Sequence, residues 1–111
     1  MSSGLTKKLI QTELTRSLTG VPQIDAVFGF GSFFRGEPFN DIDLALVFKE
    51  DCENTLATYE LVLSRLKEAD ERLGVRLHVT PFTAKEFRER PLREHASLVP
   101  LLPDNNVHFR E

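Results

Sequence analysis

Hydrophobic and polar positions repeat with two periods along the chain, and together they predict alternating helices and strands. Over residues 3–18, the large apolar side chains fall on one helical face, which is typical of an amphipathic helix. The same period returns over residues 53–73, with Asp51 as the expected N-cap and Gly74 as the expected end. The predicted stripe of this second helix comprises Leu56, Tyr59, Leu63, Leu66, either Ala69 or Asp70, and Leu73.

Strand patterns occupy the segments between these two helices. Ile24–Phe30 is apolar and rich in residues that favour strands, as expected of a mostly buried strand. Asp41–Phe48 alternates between two faces, one of which is entirely apolar and the other of which begins with acids. Residues 75–80 alternate in the same way. We therefore expect sheet strands that each turn one side toward a core.

The last third of the chain is less regular. A capping-box sequence over residues 83–86 predicts a short helix toward Arg90. An irregular or short helical stretch is expected from there to Leu102, and residues 107–109 are expected to form a closing edge strand. The full order predicts one α/β (α+β) domain over residues 1–111, with a mixed sheet of about four strands and helices mainly on one face.

Composition narrows the functional classes. The chain has 111 residues, 41% of them hydrophobic and 28% charged, which suits one globular domain. Its formal net charge of −3 argues against strong nonspecific binding to nucleic acid, because no excess of cations can displace phosphate counterions. Without a long apolar run or a signal-peptide pattern, we expect a cytoplasmic protein that does not contact membranes. The single cysteine, Cys52, lies between two acids, which favours a bystander thiol.

The candidate chemistry lies in the segment from Val27 to Val47. A hydrophobic strand ends in Gly31-Ser32, a compact loop follows, and the next strand opens with Asp41-Ile42-Asp43. Glycine lets the backbone approach a ligand, and exposed N–H groups in such a turn suit phosphate oxygens. The two aspartates point the same way, about 6.5 Å apart along the strand. Mg²⁺ bound to a triphosphate would neutralise them, whereas the alternative is a pair of solvated acids beside an ordinary turn.

In this order, the motifs resemble the signature of the polymerase-beta-like nucleotidyltransferase superfamily. They are most similar to its small, free-standing bacterial members, the minimal nucleotidyltransferases. The resemblance implies a nucleotidyltransferase fold, Mg²⁺ on Asp41 and Asp43, and a nucleoside triphosphate, expected to be ATP, bound near Gly31 and Ser32. Arg35, in the same loop, is either a further phosphate ligand or an ordinary solvated side chain.

The third strand departs from the family pattern. Members usually carry a third carboxylate there, as a metal ligand and as an aid to deprotonating the attacking hydroxyl. In this chain the corresponding outward position is His78. An imidazole can accept a proton near neutral pH but brings no negative charge for Mg²⁺. His78 is accordingly either a third catalytic residue beside Asp41 and Asp43 or a strand histidine satisfied by a neighbour.

Three functions follow from these observations. The first is transfer of a nucleoside monophosphate from a nucleoside triphosphate to a hydroxyl of an unknown acceptor. By resemblance, the protein acts with a helical partner protein encoded nearby, which is itself a candidate acceptor, and a homo-oligomer is a further expectation. The second is a catalytically weak nucleotide-binding or antitoxin-like interaction module, which His78 favours. The third is a purely structural α/β domain.

Overall fold

The computed structural model describes residues 4–21, 23–89 and 98–103, which form a sheet with helices packed against it. The helices are α1 (Lys7–Leu18), α2 (Thr55–Leu73) and α3 (Ala84–Glu89), and the strands are β1 (Ile24–Phe30), β2 (Asp41–Phe48), β3 (Arg76–Thr83) and β4 (Val99–Leu102). A 3₁₀ turn, Phe33–Arg35, lies between β1 and β2. No helix in these three segments is long and apolar enough to cross a bilayer.

The four strands lie in the order β3-β2-β1-β4. β1 is antiparallel to both β2 and β4, whereas β2 and β3 are parallel. A parallel pair needs a long crossover connection, and α2 supplies it. The predicted mixed sheet of about four strands is confirmed. This order brings the starts of β2 and β3 side by side at one end of the sheet.

One face of the sheet forms the core against α1 and α2. The alternate side chains of β2 that point to this face are fully buried, as the periodicity predicted. These side chains, Ile42, Leu44 and Leu46, pack with residues from both helices and from β3, namely Ile10, Leu14, Val62, Leu66, Leu77 and Val79. Each large aliphatic side chain buried in this way contributes about 1.5–3 kcal/mol. The core thus fixes which face of β2 remains outward.

The opposite face is covered at one end only. The ring of Phe87, in α3, stacks on that of Phe28 with centroids 5.0 Å apart, and it meets Phe82 edge-on at 5.8 Å. Ala45 and Val47 lie on the same face of β2 and are buried, although they point away from α1 and α2. Helices therefore pack mainly, but not entirely, on one side. The acidic start of β2 lies at the uncovered end.

Side-chain hydrogen bonds place the helix ends differently from the sequence pattern. α1 begins at Lys7, because the Thr6 hydroxyl accepts a hydrogen bond from the Leu9 N–H at 3.1 Å. α2 is capped by Asn54, whose side-chain oxygen accepts from the Ala57 N–H at 3.0 Å, so the predicted Asp51 cap is wrong. The predicted end at Gly74 is confirmed.

Two strand predictions also need correction. β3 continues to Thr83 instead of ending at residue 80, since it pairs with β2 along its whole length. Residues 99–102 form the edge strand β4 beside β1, where an irregular or short helical stretch was expected. The expected strand at residues 107–109 lies outside the described residues. β4 is short, and its apolar pattern alone did not distinguish a strand from a helix.

The apolar stripe predicted for α2 is partly wrong. Val62, Leu66 and Ala69 face the core, whereas Leu56 is 66% exposed and Leu63 is 40% exposed. The helix sits rotated so that its small and branched residues contact the sheet. The leucines at the edge of its apolar face remain exposed to solvent. Helical periodicity predicts an apolar face but not which residues at its edge contact the sheet.

An ion pair joins α1 to α2, and we expect its loss to destabilise the domain. The Arg72 guanidinium donates to the Glu13 carboxylate at 2.9 Å, and the Glu13 side chain is only 11% exposed. Arg72→Ala should lower the free energy of unfolding by about 1–3 kcal/mol, because it leaves a buried carboxylate without its partner. Chemical denaturation measures the change. Arg88→Ala, which breaks an exposed pair with Glu50, is the control and should leave the unfolding midpoint unchanged. Equal effects of the two substitutions would contradict the prediction.

Candidate functional site

The loop after β1 brings the backbone of Gly31 against the side chain of Asp43. Gly31 has φ +86°, a left-handed conformation that residues with a Cβ rarely adopt. A Cβ at this position would overlap the Asp43 carboxylate. Only glycine therefore permits this close approach, which joins the two halves of the sequence motif in space.

Ser32 begins the 3₁₀ turn in a right-handed helical conformation. Its carbonyl accepts hydrogen bonds from the N–H groups of Arg35 and Glu37, at 3.1 and 3.0 Å. Its hydroxyl caps no N–H of the turn and has no hydrogen-bond partner among the described residues. The Ser32 hydroxyl can therefore donate to a ligand without breaking a bond of the fold.

Aromatic packing holds this loop from the core side. The Phe34 ring lies directly on Gly29, where a Cβ would overlap it. Phe33 meets Phe34 and Phe39 edge-on, each with centroids 4.9 Å apart. These three rings pack against the core. Phe28 instead belongs to a separate group with Phe87 on the opposite face, so the aromatic residues do not form one cluster.

The two aspartates occupy alternate positions on the outward face of β2, and both are partly exposed. The parallel register sets each of them beside a residue of β3: Asp41 is opposite Arg76, and Asp43 is opposite His78. Residues paired in this way point to the same side of the sheet. The start of the two strands therefore presents two acidic side chains next to two basic ones.

His78 contacts Asp43 directly. Its Nδ1 lies 3.5 Å from Asp43 Oδ1, and its side chain is 54% exposed against 32% for Asp43. The imidazole thus lies on the outward face of β3, as the sequence predicted, beside the second aspartate of β2. It remains open to solvent, and hence to a ligand.

Asp70 lies close to this end of the sheet, on α2. Its carboxylate accepts a hydrogen bond from the Leu77 N–H at 3.0 Å, which ties the end of α2 to the start of β3. Burial raises the pKa of Asp70, and the charge of Asp41 adds to the rise, whereas the Leu77 hydrogen bond and the positive charge of Arg76 oppose it. Asp70 therefore interacts electrostatically with both Arg76 and Asp41.

Arg35 lies on the 3₁₀ turn, and its side chain contacts Glu37 rather than the two aspartates. Its Nε donates to Glu37 Oε1 at 3.1 Å, and its side chain is 46% exposed. No contact in the described residues joins it to Asp41 or Asp43. As a phosphate ligand, Arg35 would either leave Glu37 or use the guanidinium N–H groups that do not contact it.

Arg76 was not singled out as a candidate site residue by the sequence analysis. The signal was present, because Arg76 precedes His78 by two residues and so shares its face of β3. Its significance depends on the register with β2, which the sequence does not contain.

The donor set suits a metal ion that arrives with a substrate. The described residues contain no cluster of three or more His, Cys, Asp or Glu side chains able to hold a metal by themselves. Mg²⁺ is commonly bound by one or two carboxylates and completed by phosphate oxygens and water. Asp41 and Asp43 fit that arrangement, and the backbone of Gly31 lies against the Asp43 carboxylate.

Comparison with known proteins addresses the fold. No protein-family model and no curated protein matches the sequence. Among solved structures, the chain is similar to the crystal structure of a proposed nucleotidyltransferase from Sulfolobus solfataricus. The TM-score is 0.54 and the sequence identity 21%, over 85% of this chain and 77% of that chain. From its mixed sheet and this similarity, the protein has a nucleotidyltransferase fold.

Proposed function

We propose that the protein is a Mg²⁺-dependent nucleotidyltransferase that moves a nucleoside monophosphate from a nucleoside triphosphate to a hydroxyl of an acceptor. ATP is the expected donor. The observation that carries the proposal is the contact between Gly31 and Asp43. Through it, a turn that suits phosphate oxygens lies against a carboxylate that suits their metal ion.

Each residue of the site has a role in this reaction. The acceptor oxygen attacks the α-phosphorus, the bond from that phosphorus to its bridging oxygen breaks, and pyrophosphate leaves. Asp41 and Asp43 would hold Mg²⁺, which when bound neutralises phosphate charge. The Ser32 hydroxyl and the backbone at Gly31 would bind phosphate oxygens. His78, which lies beside Asp43, would accept the proton of the attacking hydroxyl, a task that the third carboxylate of the family pattern combines with binding metal.

A second candidate function is nucleotide binding without efficient transfer. The observation that favours it is the contact of His78 with Asp43, where the family pattern has a third carboxylate. A protein of this kind would act as an interaction module, and the antitoxin-like subtype belongs to this candidate. Both functions require the same nucleotide site, so turnover is what separates them.

Transfer of label from α-labelled ATP to a candidate partner protein tests the proposal. We expect slow, Mg²⁺-dependent transfer by the natural protein and about tenfold faster transfer by His78→Asp, because the substitution restores a third anionic ligand. His78→Asn, which has a similar size and no charge, is the matched control and should not be faster.

Natural transfer that is rapid and unchanged by His78→Ala would show that this histidine neither limits nor assists the reaction. No transfer by either the natural protein or His78→Asp, with MgATP still bound, would favour the second candidate function.

A further inference from the structure

Arg76 is the one basic side chain besides His78 that the register of β2 and β3 places beside the two acids. It lies opposite Asp41, at the uncovered end of the outward sheet face. Arg76 is exposed, and its side chain forms no hydrogen bond or ion pair within the described residues. Its charge nevertheless acts on this region, since it lowers the pKa of Asp70 against the effect of burial.

If the site binds a nucleotide, the positive charge of Arg76 would offset negative charge of the phosphates and the two aspartates. A triphosphate that carries one Mg²⁺ is still negative, and it would approach two carboxylates. The family pattern adds a third acid, which holds further metal, whereas this chain has His78 there. A fixed positive charge on the same face would offset the remaining repulsion without another metal ion.

We propose that Arg76 binds phosphate oxygens of the nucleotide. Its positive charge then neutralises part of the phosphate charge, a role that in the family pattern belongs to a further metal ion held by a third carboxylate. The inference rests on the proposed function, because it requires a nucleotide at Asp41 and Asp43. The guanidinium is well suited to this role, since it stays charged and presents paired N–H donors to phosphate oxygens.

The alternative role for Arg76 is purely internal, as a counter-charge for Asp41 and Asp70. The two roles predict opposite effects of removing the Arg76 side chain on the affinity for MgATP. An internal counter-charge weakens the attraction of the acids for Mg²⁺, so its loss would leave MgATP binding equal or tighter. A phosphate ligand is needed for the nucleotide itself, so its loss would weaken MgATP binding and leave the affinity for Mg²⁺ alone equal or higher.

Calorimetry with MgATP and with Mg²⁺ alone distinguishes these roles. We expect Arg76→Gln to weaken MgATP binding about tenfold or more, the usual cost of a lost charge-assisted hydrogen bond, without weakening Mg²⁺ binding. Arg76→Lys keeps the charge but not the paired donors and should bind with intermediate affinity. Arg16→Gln removes the same charge from an exposed position on α1 and is the matched control, with unchanged affinity expected. Thermal unfolding of each variant confirms that it is folded.

The outcomes separate this inference from the proposed function. Unchanged or tighter MgATP binding by both Arg76 variants, with normal binding by the natural protein, would overturn the role of Arg76 and leave the nucleotide site in place. A natural protein that binds no MgATP would overturn both. An equal loss of MgATP affinity in Arg76→Gln and Arg16→Gln would also overturn the role of Arg76, because the effect would then come from the overall charge of the protein.

Discussion

Replacing both acids of the site, Asp41→Asn with Asp43→Asn, should abolish the dependence of ATP binding on Mg²⁺. In the natural protein the two carboxylates repel the triphosphate unless a divalent cation lies between them, so binding should be detectable only with the metal. The double substitution removes both the metal ligands and the repulsion. We expect the affinity for MgATP to fall by more than about a hundredfold, and the weak affinity for metal-free ATP to stay equal or rise.

Calorimetry with ATP, in the presence and absence of Mg²⁺, measures this effect. The matched control is Asp25→Asn with Asp51→Asn, which removes the same charge from exposed positions away from the site, one near the start of β1 and one in the loop after β2. Its Mg²⁺ dependence should equal that of the natural protein. If the site variant kept the natural response to Mg²⁺, or if the natural protein bound ATP equally with and without the metal, the acids would have no role in nucleotide binding.

The second large effect is expected from Gly31→Ala. The new Cβ would overlap the Asp43 carboxylate, so either the loop or the acid must move. Displacements of about 1 Å in a positioned site can cost a hundredfold in rate, and we expect MgATP affinity to fall by about tenfold or more. The left-handed backbone adds a cost in stability of about 1 kcal/mol, because L-residues with a Cβ are strained there.

Gly20→Ala separates these two consequences. Gly20 has φ +88°, nearly the value of Gly31, but a Cβ there meets nothing within 4 Å. Both substitutions should therefore lower the free energy of unfolding by a similar amount, about 1 kcal/mol. Only Gly31→Ala should weaken MgATP binding. Equal losses of affinity, or none in either variant, would show that the approach of Gly31 to Asp43 does not matter for the ligand.

Much of the architecture could be predicted from local patterns. The alternation in Asp41–Phe48 assigned its apolar side chains to the core and its acids to the outward face, because successive side chains of a strand point to opposite sides. The capping box over residues 83–86 is present in the structure as two reciprocal hydrogen bonds of 3.0 Å, between the backbone N–H and side chain of Thr83 and those of Glu86. Such features depend on residues a few positions apart, so the sequence contains them.

Other features required the tertiary structure. The choice of Asn54 over Asp51 as the cap of α2 depended on where packing against the sheet let the helix begin. The short segment Val99–Leu102 is a strand because β1 offers it an edge, and its own composition does not decide between strand and helix.

The site itself divides in the same way. The sequence alone determined its parts: a glycine turn, two aspartates on one strand face, and a third strand with a histidine in place of an acid. Only the tertiary structure decided that Gly31 touches Asp43, that His78 lies 3.5 Å from Asp43, and that Arg76 stands opposite Asp41. Gly31 meets Asp43 through the pairing of β1 with β2. The other two neighbours come from the register of β2 and β3. That register joins residues some 35 positions apart, and no short-range pattern in the chain can encode it.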